Sequence, residues 1–171
     1  MIEQRAKKIR LLILDVDGVL TDGRIIYDNC GDEFKCFNVH DGFGMLILYR
    51  AGIKAVIITA KKNRSVKRRA QEMYIAALYS NYKKFKIYQK VLKKFRVKDE
   101  QVCFVGDDLL DLPIMKRVGF AVAPPDAVEE VKNFAHYITQ RHGGRGAVRE
   151  VVEIILKSQG LWDKVISTYL K

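Results

Sequence analysis

Two groups of carboxylates, each directly behind a run of apolar residues, carry the clearest chemistry in this sequence. The first is Asp15-Val16-Asp17-Gly18-Val19-Leu20-Thr21-Asp22-Gly23, which follows IRLLIL at residues 9–14. Residues two apart on an extended segment point to the same side, so Asp15 and Asp17 can reach one site. Two close carboxylates repel unless a proton or cation lies between them, and Mg²⁺ is the hard, oxygen-seeking choice. A lone DxD is common in surface turns; DxDGxxTDG behind a buried strand is far more specific. The second group is Gly106-Asp107-Asp108-Leu109-Leu110-Asp111, behind VCFV. Acids favouring a helix N-terminus would explain one or two of these. They would not explain why both groups sit at strand ends, where neighbouring strands would bring them together.

The rest of the chain has to position those strands. Residues 9–14 read as a buried strand. RIIYDNCGDEFKCFNV reads as a β-hairpin of about residues 24–38, turning at Asn29-Cys30-Gly31-Asp32. Asp41 is the expected N-cap of a helix through about Arg50 that stops at Gly52. Strands are then expected at 54–58, 76–79, 102–105, 119–123 and 136–138. Helices are expected at about 62–73, 84–96, 108–117, 126–134 and 146–158. This alternation predicts an α/β fold, a Rossmann-like, mostly parallel sheet with helices on both faces and ligands at the carboxyl ends of its strands. No linker or repeat interrupts residues 1–171, so one domain is expected, with a tail at about 160–171.

Composition excludes several classes. A hydrophobic fraction of 49% over 171 residues suits a globular core. No apolar run approaches the roughly 20 residues that span a bilayer. The charged start MIEQRAKKIR lacks a secretory pattern, so the cytoplasm is the expected compartment. Three cysteines without CxxC spacing argue against zinc or a disulfide framework. The net charge of +11 gathers at 61–69 and 83–98, at spacings that fit solvated helix faces. Neither a nucleic-acid nor a membrane partner is expected, while a small anionic substrate would benefit from the positive field.

DVDGVLTDG, a strand ending in IIT, and VGDDLLD resemble the motifs of the haloacid dehalogenase-like phosphatases. LTDGRIIYDNCGDEFKCFNVHDGFGMLIL, Tyr82-Lys83-Lys84 and ITQRHGGRGAVREV narrow the resemblance to a small capless branch, over about residues 8–158. That branch dephosphorylates a sugar acid used in lipopolysaccharide synthesis, 3-deoxy-D-manno-octulosonate 8-phosphate. The resemblance implies Asp15 as the nucleophile that becomes an aspartyl phosphate, and Asp17 as general acid and then base. It implies Mg²⁺ held by the Asp15 carboxylate, the Asp17 backbone carbonyl and Asp107, supported by Asp108 and Asp111. Thr59 would hydrogen-bond the phosphoryl group and Lys84, whose rivals are Lys83 and Lys86, would neutralise it. A homotetramer built through the hairpins is implied as well, in place of a cap domain.

Other residues are substrate candidates. The glycine-rich turn could be a plain helix start, or Arg145 or Arg149 could meet an anion there. His40 either lines the site entrance or is an ordinary surface histidine. The chain departs from the family pattern at Ala60-Lys61, where glycine and arginine are usual, at Ser80 for a glycine, and at His40 for an arginine. Lysine lacks the planar fork that grips an oxyanion in two places, so Lys61 bears on substrate choice. A nine-carbon sialic-type acid phosphate is the alternative substrate, and a basic binding module with a vestigial site the alternative from another class.

Overall fold

Along the chain of the computed structural model, which describes residues 1–170, a short helix α1 (Ile2–Ala6) leads into β1 (Leu11–Leu14). The hairpin strands β2 (Ile26–Tyr27) and β3 (Glu33–Phe34) come next, then α2 (Val39–Arg50), β4 (Lys54–Thr59), α3 (Arg64–Glu72), β5 (Ala77–Ser80) and α4 (Lys84–Phe95). The second half runs β6 (Val102–Val105), α5 (Leu112–Met115), β7 (Phe120–Ala123), α6 (Glu129–Lys132), β8 (Tyr137–Ile138), α7 (Ala147–Ser158) and α8 (Trp162–Ile166). Six strands form one parallel sheet in the order β5-β4-β1-β6-β7-β8, and β2 and β3 pair antiparallel by themselves. No helix among the described residues is long and apolar enough to cross a membrane.

The continuous apolar runs arise from burial on both faces. Leu12 and Leu14 lie with Ala55, Ile57, Cys103 and Val105 against residues of α1, α2, α3 and α7. Leu11 and Ile13 lie with Val56, Ile58, Val102 and Phe104 against α4, α5 and α6. Each such large side chain contributes roughly 1.5–3 kcal/mol on burial, so the central strands are a firm platform for the loops at their carboxyl ends. From β1 the chain steps outward to β4 and β5, then crosses back to place β6 on the other side of β1. Leu14 is level with Ile57 and with Val105. The carboxyl ends of β4, β1 and β6 therefore lie side by side at the switch in strand order, where such sheets bind ligands.

The structure departs from the sequence-based expectations in five places. The expected 108–117 helix is a 3₁₀ turn, Leu109–Asp111, running into α5, whose second residue is Pro113. The expected 126–134 helix contracts to α6, because residues 124–127 close a turn of their own, the Ala127 N–H donating to Pro124 O at 3.1 Å, and Val128 is extended ahead of the helix. Asn38, rather than Asp41, caps α2, its side chain accepting the His40 N–H at 2.8 Å. Asp41 instead lies buried, accepting the N–H groups of Gly146 at 3.2 Å and Arg149 at 2.8 Å. It joins the first turns of α2 and α7 across more than half the chain. Finally, α1 was not expected, and the start of the tail forms α8 with Val165 buried.

Candidate active site

The loop after β1 is knotted by Thr21, whose hydroxyl oxygen accepts the N–H groups of Gly18 at 3.4 Å and Gly23 at 3.3 Å. Gly18 has φ +80°, and a Cβ there would lie 1.9 Å from Asp107 Oδ2. Glycine at this position lets the second acidic group close on the first. The loop is backed by the glycine-rich turn: the Gly144 N–H donates to Val19 O at 2.9 Å, and a Cβ on Gly143 would lie 1.9 Å from Gly18 O. Gly143 in turn donates its N–H to Asp126 Oδ1 at 3.1 Å. The GGRG segment thus presses its backbone on the loop carrying Asp15 and Asp17.

Asp15, Asp17, Thr59, Lys61, Lys84, Asp107 and Asp108 line one cavity of about 300 Å³ at the carboxyl ends of β1, β4 and β6. Lys84 is the first residue of α4, and only 3% exposed. Its Nζ lies 2.7 Å from Asp15 Oδ2 and donates to Asp111 Oδ1 at 2.7 Å. Burial lowers the lysine pKa, but Asp15 and Asp111 outweigh it and leave the ammonium above its ordinary range. Lys83 and Lys86 are exposed, so position separates Lys84 from both rivals. Thr59, 2% exposed, ends β4 beside Asp15.

Asp111 is fully buried and saturated. Besides Lys84, its Oδ2 accepts the N–H groups of Asp107 at 3.1 Å and Asp108 at 3.5 Å. It fixes Asp107 and Lys84 relative to each other. Asp108 is exposed and caps the following turn, accepting the Leu109 N–H at 2.7 Å.

Donor atoms of Asp15, Asp107 and Asp111 all lie within 4.8 Å of one another, and Asp107 Oδ1 is buried with no hydrogen-bond partner. Three carboxylates face one ammonium, an imbalance that a hard divalent cation such as Mg²⁺ fits. Without a cation the carboxyls bind protons more readily than free aspartates do. Burial first, then the neighbouring Asp111, raises Asp15, and burial raises Asp111. Burial and then Asp15 push Asp107 up to about 8 from the ordinary 3.8. The folded metal-free protein binds these protons more tightly than the unfolded chain. This contribution to stability is therefore complete below about pH 4 and lost as pH rises through about 8. The melting temperature of metal-free protein is expected to fall across that window, and the increase on adding Mg²⁺ to grow. Calorimetric scans at several pH values check this, and an increase that shrinks with pH would contradict it.

The remaining candidates separate. His40 is exposed in the first turn of α2 and is not among the residues lining the cavity. Arg149 pairs with Glu153 at 2.8 Å and packs over Phe43 and Trp162, away from the cavity. Arg145 lines a neighbouring cleft of about 410 Å³ with Asp22, Arg24, Asp126 and His142. The 22–24 segment borders both, since Gly23 lines the first cavity. Lys35 was missed from the sequence. It lies beyond the hairpin turn, its side chain 2% exposed, and it pairs with Asp17 Oδ1 and, at 2.6 Å, with Glu33 Oε1. No pattern in the sequence pointed to it, since β3 ends at Phe34.

A family model for haloacid dehalogenase-like hydrolases matches residues 47–151. The chain is 45% identical over 157 residues to the 3-deoxy-D-manno-octulosonate 8-phosphate phosphatase of Yersinia pestis, covering 91% of this chain and 84% of that protein. With the enzyme of the same name from Escherichia coli K12 it shares 44% identity over 161 residues, 94% of this chain and 86% of the other. The structure of the Moraxella catarrhalis phosphatase of that name, in complex with magnesium, phosphate and KDO, superposes with a TM-score of 0.96 at 40% identity. That match covers 98% of this chain and 97% of the other.

Proposed function

The chain belongs to the haloacid dehalogenase-like hydrolases and is a phosphatase that takes magnesium, and from that premise we propose that it hydrolyses 3-deoxy-D-manno-octulosonate 8-phosphate to the sugar acid and phosphate. The reaction serves the supply of lipopolysaccharide precursors. The observation that carries the proposal is the convergence of Asp15, Thr59, Lys84 and Asp107 on one cavity, in a chain so similar to phosphatases of this name.

An Asp15 carboxylate oxygen attacks phosphorus and the bond from phosphorus to the sugar oxygen breaks. The leaving oxygen takes the proton of Asp17 and departs as an alcohol. Water then gives a proton to Asp17 and attacks the aspartyl phosphate, breaking its bond to Asp15 and releasing phosphate. Lys84 offsets the charge of the incoming phosphoryl group while it holds Asp15 in place. Asp15, Asp107 and the backbone carbonyl of Asp17 would hold the magnesium. When bound, it screens the repulsion between nucleophile and phosphate dianion.

Purified protein with Mg²⁺ should release phosphate from this substrate faster than from other sugar phosphates. Equal or faster release from a nine-carbon sialic-type acid phosphate would favour the second reading, which Lys61 in the cavity wall supports. We further propose that the hairpins assemble four copies. Ile25, Ile26, Tyr27 and Phe34 are between 40% and 62% exposed there, an apolar group that an isolated two-stranded hairpin cannot cover. Light scattering should give four times the chain mass, and one chain mass after Ile26→Asp with Phe34→Asp.

A further inference from the structure

The hairpin is mostly exposed, yet it buries one charged side chain. Ile26, Tyr27 and Phe34 face solvent, while the Lys35 side chain is 2% exposed. Burying a lysine is costly unless its charge is met, and here two carboxylates meet it, Glu33 at 2.6 Å and Asp17. Among the described residues Lys35 is the one side chain paired with Asp17. Asp17 also lies outside the close group formed by Asp15, Asp107 and Asp111. Nothing on the sheet therefore fixes its carboxylate. The Lys35 ammonium first, and then the charge of Lys61, hold the Glu33 carboxyl below its usual range.

We propose that Lys35 is a positioning residue that holds the Asp17 carboxylate for its proton transfers, so that the hairpin sets the aim of the general acid. The inference rests on the phosphatase reading above and deepens it. Lys35 grips Oδ1 of Asp17 and leaves Oδ2 to carry the proton. In the first displacement that proton goes to the departing sugar oxygen. In the second, Asp17 takes a proton back from water. Lys35 itself exchanges none and touches neither phosphorus nor the sugar. A lysine that merely stabilised the hairpin would, when removed, slow every substrate alike.

Leaving groups separate the two roles. A sugar alkoxide is a poor leaving group and needs the acid; p-nitrophenolate leaves without it. General acid catalysis contributes about 100- to 10,000-fold. Lys35→Met, which keeps the length of the side chain, should lower kcat/KM for the best alkyl sugar phosphate by about 30-fold or more. For p-nitrophenyl phosphate the fall should stay below about threefold, because kcat/KM reports only the steps through departure of the leaving group. The variant should also show a burst of p-nitrophenol, since Asp17 must still activate water in the second step. Lys35→Arg should restore much of the alkyl rate, and melting curves establish that each variant is folded. An equal loss on both esters in Lys35→Met and in a second variant, Lys35→Ala, would overturn the proposal. If the wild-type protein with Mg²⁺ hydrolysed neither ester, the proposed function would itself fall, a separate and recognisable result.

Discussion

Asp15→Asn is expected to cut phosphate release by at least about a thousandfold, the scale seen when a nucleophile is removed from an otherwise intact site. The substitution exchanges an oxygen for a nitrogen, so packing around this 6%-exposed residue is kept. An amide does not attack phosphorus at a useful rate, and the other carboxylates are engaged elsewhere, Asp17 with Lys35. Asp111 is committed to Lys84 and to two backbone N–H groups. Asp107 is brought against the loop by Gly18 but lies at the end of a different strand. The fold should survive, because the change removes one of three crowded carboxylates. Phosphate release and the melting temperature, measured on one preparation, separate lost chemistry from lost structure. Residual turnover within tenfold of wild type would assign the nucleophile elsewhere.

Lys84→Met is expected to damage both activity and stability. Lys84 is the counter-charge of Asp15 and Asp111 at 2.7 Å from each, and all three are buried. Removing one partner of a buried ion pair costs about 3–5 kcal/mol, because the other charge is left uncompensated. The cost is smaller at low pH. Burial already raises both carboxyls, and without the ammonium they hold protons to still higher pH, so the acidified variant carries fewer unpaired charges. The gap in melting temperature between wild type and variant should therefore widen as pH rises from about 5 to about 8. Turnover should fall about a hundredfold or more at saturating Mg²⁺, the scale of losing one preorganised electrostatic contact. A variant as stable as wild type at about pH 8 would mean that the Lys84 contacts are not what balances the site.

The sheet and the residues at its strand ends were legible for one physical reason. A strand buried on both faces must be apolar throughout, so an acid directly after it has to be at the end where ligands bind. LLIL before Asp15 and VCFV before Asp107 carry that signal in single short segments. Charge and spacing alone left Lys84 as one of three lysines; the family resemblance preferred it, and burial separates it from Lys83 and Lys86.

The rest depended on contacts between distant segments. Asn38 and Asp41 are both good helix caps. What decides between them is that Gly146 and Arg149 lie against Asp41 from the other end of the chain. Arg149 reads as an anion-binding residue beside a glycine-rich turn, but Glu153, one helical turn on, takes it. The hairpin strands are two residues each, too short for an alternating pattern to say which side chains face inward. Lys35 was hidden for that reason, although it lies against Asp17.

The central claim, that Asp15 carries the phosphoryl group during turnover, is tested most directly by trapping that intermediate. Borohydride reduces an aspartyl phosphate to homoserine and leaves a free aspartate unchanged. Protein turning over 3-deoxy-D-manno-octulosonate 8-phosphate with Mg²⁺ would be quenched with borohydride and its peptides mapped by mass spectrometry. Homoserine at position 15, dependent on both substrate and Mg²⁺, is the expected result. Phosphate release with Asp15 unreduced, or homoserine at Asp107 or Asp111 instead, would contradict the account.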